Sequence, residues 1–168
     1  MTVLKVAPPR DSAIVGWYDG ADLVDAYAVR RPAAAPRDAG AIAARLMERP
    51  PAFFRMLLKL RDAIMALFGV KTTAALRRDS RPRIDFFPVI ARDPREIVLG
   101  EDDRHLDFRL SVLLGPDDQV IATTAVRCHN ALGRMYLAVI MPFHVLIVRT
   151  LLRRLARSHW TTPADNII

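Results

Sequence analysis

Polar and apolar residues alternate over Ala21–Val29 (ADLVDAYAV). This predicts a first strand with Leu23, Asp25 and Tyr27 on one face and Val24, Ala26 and Ala28 on the other. A proline-punctuated connection from Arg31 to Arg37 separates it from a stretch of helical period. Asp38 is placed to cap a helix running to about Glu48, and Pro50-Pro51 ends it and starts another. That second helix, over about 52–68, puts Phe53, Leu57, Leu60, Ile64 and Leu67 on one face, with Gly69 as its terminator. Alternation then returns. Arg83–Ala91 and Arg95–Leu99 read as short strands, the first weakened by Pro88. Arg104–Leu114 is the clearest strand; Gly115-Pro116-Asp117-Asp118 turns the chain, and a partner strand runs from Gln119 to about His129. The last pattern is a long helix over Ala131–Arg157 with Asn130 as its N-cap. Its first half is apolar nearly all round, which predicts burial on several sides. Its second half turns basic at Arg149, Arg153, Arg154 and Arg157.

Strand, two helices, antiparallel meander and long C-terminal helix is the element order of an α+β helix-grip domain, in which a curved sheet wraps the last helix. A cavity often opens between them in that layout, although a layout alone specifies no ligand. The 168 residues are read as one domain, with 21–157 as its core, 1–20 as a loosely attached arm lacking periodic signals, and 158–168 as a tail.

The hairpin takes a register from its turn. Leu106, Phe108, Leu110, Val112 and Leu114 share a face with Val120, Ala122, Thr124, Val126 and Cys128, and this apolar face is expected to grip the helix. The opposite face then carries His105, Asp107, Arg109 and Ser111 beside Thr123, Arg127 and His129. With the turn centred near Asp117, Asp107 faces Arg127 and His105 faces His129. One reading of this polar face is a solvated surface with an Asp107–Arg127 cross-strand ion pair. The sharper one is a pocket for an anionic or polar small molecule, with Arg109 and Arg127 as donors. His105, Asp107 and His129 are metal-ligand types, but two adjacent arginines oppose a cation, so no metal is expected.

Composition narrows the function. Apolar residues make up 52% and charged residues 26%, as in a globular chain, and the formal net charge is +7. Nearly all the basic residues are arginines, scattered in pairs among acids, with only Lys5, Lys59 and Lys71 as lysines. No basic stripe or reading motif accompanies the charge, so nucleic acid is not an expected partner. Cys128 is the only cysteine, which excludes an intrachain disulfide and a multi-cysteine zinc site; it reads as a small buried side chain. No export signal opens the chain, and the uncharged run Met135–Val148 is shorter than the roughly 18–20 residues of a bilayer span. A cytoplasmic protein without a transmembrane segment is the expectation. There is no phosphate loop, dinucleotide fingerprint, nucleophile elbow or zinc-protease motif, so no cofactor is expected. Glu101-Asp102-Asp103 lacks calcium-loop spacing and reads as a solvated turn. His144, on the half of the last helix expected to be buried, is either a satisfied core residue or a ligand contact able to exchange a proton near neutral pH. The basic, apolar helix fits a membrane surface or a partner as well as a core, and core packing is favoured.

Several segments carry a resemblance. Phe86-Phe87-Pro88-Val89, the run from Gly100 to Arg109, His129 to Arg134, and Ile140 to His144 resemble a bacterial family catalogued as domain of unknown function 2867. The likeness spans about Asp22 to Arg154. It implies a relation to the START-like (SRPBCC) helix-grip superfamily, whose members hold lipids, polyketides or other apolar molecules. It brings no catalytic residues. Its motif positions include His105, Asp107, Arg109, His129, Asn130 and His144. It also implies a separate reductase-domain partner for any reductase role. The expected function is binding or carrying a small apolar or amphipathic molecule. The cavity would be lined by Phe53, Leu57 and Leu60, the apolar sheet face, and Tyr136, Ile140 and Phe143, with Arg127 among the polar contacts. The alternatives are an enzyme using His105, Asp107 or His129 as acid and base, and an interaction module, including a homo-oligomer.

Overall fold

The computed structural model describes residues 2–48, 82–85, 87–158 and 160. The expected helix over 52–68, Phe86 and nearly all of the tail lie outside the described residues. Among the described residues, seven strands form one antiparallel sheet: β1 (Leu4–Val6), β2 (Leu23–Arg30), β3 (Arg83–Ile84), β4 (Phe87–Arg92), β5 (Glu96–Asp102), β6 (Leu106–Gly115) and β7 (Gln119–Cys128). Their spatial order is β1-β2-β7-β6-β5-β4-β3. Among the described residues, two α-helices accompany them, α1 (Ala39–Met47) and α2 (Ala131–Arg157).

Local chemistry explains the boundaries. The Asp38 carboxylate accepts from the Ala41 amide at 2.6 Å and so caps α1, while Asn130 accepts from the Gly133 amide at 3.1 Å and caps α2. The β6–β7 turn holds Asp117 and Asp118 at φ near +54°, a left-handed conformation that aspartate tolerates. Leu114 faces Val120 and Asp107 faces Arg127, the register set by alternation and turn position. The turn is tied to the end of β2. The Asp118 carbonyl accepts from the Arg31 amide at 2.6 Å, and its carboxylate pairs with the buried Arg31 guanidinium at 2.9 Å.

The apolar sheet face packs against both helices. Tyr27, Val29, Ile97, Leu99, Val112, Val120 and Ala122 pack with Ile42, Ala43 and Leu46 of α1 and with Leu151, Leu152 and Leu155 of α2. Each fully buried Leu, Ile or Val among them contributes about 1.5–3 kcal/mol relative to exposure.

Two expectations are corrected. The first half of α2 is not buried on several sides: its buried residues are Gly133 and then Leu151, Leu152, Leu155 and Ala156, while Met135, Val139, Phe143 and Leu146 are exposed. All-round apolarity says nothing about how much neighbouring surface exists to cover a helix. Phe143, expected in a cavity lining, belongs to that exposed set.

The arm, for its part, is seated rather than loose. β1 pairs with β2, and Val3, Ser12 and Ile14 are buried. The second sheet face is therefore covered by the chain's own N-terminal residues, with Ile14, Trp17 and Tyr18 packed against Val98, Ala125 and Val24.

Candidate functional site

On the arm-covered face, Glu96 of β5 is buried and accepts three hydrogen bonds. They come from Ser12 Oγ at 2.5 Å, Ser111 Oγ at 2.6 Å and the Ala13 amide at 2.8 Å. A buried carboxylate needs such donors to offset its lost hydration. On the same face, the Trp17 ring meets two guanidinium groups, with its centroid 4.0 Å from that of Arg109 and 4.7 Å from that of Arg127. Arg127 also donates to the Gly16 and Asp19 carbonyls, both at 2.9 Å. Arg109 donates to Asp102 at 2.6 Å and to the Phe108 carbonyl at 2.9 Å. The expected Asp107–Arg127 ion pair is not formed, although the two residues are register partners. Trp17 and the arm carbonyls occupy Arg127, and both arginines hold the arm.

Asp107 turns instead to His129, whose Nε2 lies 3.0 Å from Oδ2, and it accepts from the Asp103 amide at 3.0 Å. His105 sits across from His129, with its carbonyl accepting from the His129 amide at 2.9 Å. Asn130 joins this corner to α2. Its Oδ1 is used by the Gly133 cap, so its Nδ2 donates to the Arg104 carbonyl at 3.2 Å and to His105 Nδ1 at 3.0 Å. Asn130 Oδ1 also lies 3.3 Å from the same ring nitrogen, and His105 Nε2 is buried with no hydrogen-bond partner among the described residues. Gly133 permits the close approach, because a Cβ there would run into the His105 carbonyl.

On the helix side of the sheet, His144 of α2 meets Asp25 of β2. Asp25 is 4% exposed, and His144 Nε2 lies 3.2 Å from both of its carboxylate oxygens. One N–H satisfies one oxygen, and Asp25 Oδ2 is buried with no hydrogen-bond donor among the described residues. Thr124 is the register partner of Asp25, and both are buried. Tyr27, two residues on, has its hydroxyl pKa pushed up, first by burial and then by the Asp25 charge. The half-buried Tyr136 and Ile140 belong to the same stretch of helix as His144, and Phe87 packs edge-on to Phe108 with ring centroids 5.6 Å apart.

The sequence-predicted residues thus fall into two groups. His105, Asp107, Arg109, Arg127, His129 and Asn130 gather at the polar face and the start of α2, whereas Tyr136 and His144 belong to the helix. Asp25 and Glu96 were missed as site residues. The signal for Asp25 was a single acid between Leu23 and Tyr27 on the apolar side of an alternating strand. Among the described residues, no group of three or more His, Cys, Asp or Glu is arranged to hold a metal ion.

A family model described as protein of unknown function (DUF2867) matches residues 17–151, four-fifths of the chain. The chain belongs to this family. No curated protein and no solved structure gives a significant match. The family match takes in Asp25, the polar corner and His144, and it begins at Trp17.

Proposed function

We propose that this member of the family binds a small amphipathic molecule between the apolar sheet face and the first half of α2, in the manner of helix-grip, START-like proteins. The observation that carries the reading is Asp25: a buried carboxylate on an apolar face, with one oxygen engaged by His144 and the other lacking a donor among the described residues. Leaving a buried acceptor unmade costs about 1–3 kcal/mol, and more for a charged group. A ligand hydroxyl or amine at Oδ2 would recover that energy. The half-buried Phe87, Leu110 and Ile140 offer an apolar surface for the rest of such a molecule.

Native mass spectrometry of gently purified protein tests this, followed by a panel of hydroxylated and aminated amphiphiles. An extra mass lost on denaturation, and weakened by Asp25→Asn, supports the reading. A bare protein mass, with no panel member raising the melting temperature at millimolar concentration, refutes it.

A second reading rests on Asp107–His129. The carboxylate fixes one imidazole nitrogen, while the ring is 44% exposed, an arrangement suited to proton exchange with a substrate at the surface.

A further inference from the structure

From the exposed face of α2 we infer a second binding surface, one that docks on an anionic membrane. Met135, Val139, Phe143 and Leu146 are separated by four, four and three residues and so lie along one helix face. They are between 40% and 57% exposed, and only 11% of the most apolar 18-residue window of the helix is buried. A helix of this apolarity in the core of a soluble protein would be mostly covered. At 1.5 Å per residue the stripe is roughly 17 Å long. The same face continues through Thr150 to Arg153 and Arg157, both exposed, and the exposed Arg134 sits at the other end. α2 carries five arginines and no acid. An apolar stripe ended by guanidinium groups is the pattern of a helix lying in the headgroup region: the apolar side chains enter the acyl boundary and the arginines meet lipid phosphates.

Two features favour lying on the bilayer over crossing it. Leu151, Leu152 and Leu155 are buried in the core, and His144 ties the middle of the helix to Asp25. Charge selects the occupant. A second copy would bring another chain of net charge +7 and the same five arginines against this face, whereas an anionic surface is complementary. This surface is independent of the proposed interior ligand, because the stripe faces away from the sheet that His144 contacts.

Co-sedimentation of the full chain with vesicles is the test. Phosphatidylglycerol-containing vesicles should retain the protein and pure phosphatidylcholine vesicles should not, with retention falling as salt rises. Arg153→Gln with Arg157→Gln should lower partitioning about 25-fold, from about fivefold per arginine. Val139→Glu with Phe143→Glu should abolish it while leaving the circular-dichroism spectrum unchanged, since both positions are exposed. Equal retention of that pair and the wild type would overturn the inference, as would no retention of the wild type on either vesicle. So would a lipid-free dimer that the pair dissolves, because a second copy would then own the stripe. Finally, Val139→Cys in a Cys128→Ser background should react with a water-soluble maleimide in solution. Failure to react would mean that the face is already covered in the free protein, and would sink the proposal.

Discussion

Replacing His144 by alanine isolates the energetics of the Asp25 pair. The substitution removes the one described donor to a carboxylate that is 4% exposed and leaves that charge inside the sheet–helix interface. Leaving a buried charged acceptor without its donor costs more than the roughly 1–3 kcal/mol of a neutral group. The imidazole is 19% exposed, so water can enter the vacated space, and a loss of about 2–4 kcal/mol is expected. Asp25→Asn keeps the shape and can still accept from Nε2, so its cost should be about 1 kcal/mol. In the double variant the orphan is a neutral amide, and His144→Ala should cost about 1–2 kcal/mol less than it does alone. Urea unfolding followed by circular dichroism and tryptophan emission reads these differences as midpoint shifts at constant slope. Additive effects, with His144→Ala alone costing under about 0.5 kcal/mol, would show that the pair contributes no stability and remove the physical basis of the ligand reading.

Glu96→Ala should cost about 3–5 kcal/mol by orphaning Ser12 and Ser111 together, and a red shift of tryptophan emission should accompany release of Trp17; unchanged emission would mean that Glu96 does not hold the arm. Hydrogen bonds from Arg31 and Arg95 hold the Asp118 and Asp11 carboxyls below the usual range, so their stabilisation is complete above about pH 4 and is lost as pH falls through the folded values. Asp118→Asn should accordingly flatten the acid limb of a stability–pH curve, and a limb identical to wild type would contradict this. Burial, and then the Asp22 charge and its hydrogen bond, push the Cys128 thiol up, so alkylation near neutral pH should be slow. Asp22→Asn should shift the alkylation profile to lower pH, and an unmoved profile would exclude Asp22 as a cause.

The hairpin register was legible because its determinants are local: a proline-containing turn and period-two apolarity that tolerates only one face toward the core. The N-cap of α2 was legible for the same reason. The contacts that build the candidate sites are long-range. Ser12 and Glu96 are 84 residues apart, and His144 and Asp25 are 119 apart. Alternation put Asp25 and the helix on one side of the sheet but could not name its partner. The arm has no periodicity to read, since individual side chains meeting Glu96, Arg109 and Arg127 hold it. Exposure of half of α2 was hidden because an all-round apolar helix carries no mark of its outward face.

β1 covers only the middle of β2, pairing Leu4 to Val6 with Ala28 to Ala26. Without it, β2 would be the outermost strand on its side of the sheet, eight residues long and presenting free backbone amides and carbonyls around the apolar run Ala26–Val29. Such a rim is a template for intermolecular strand pairing. The family match begins at Trp17, so a fragment trimmed to that boundary would lose both this guard and the Ser12–Glu96 fastening. It should aggregate where the full chain stays dispersed: the short first strand protects the fold from its own copies.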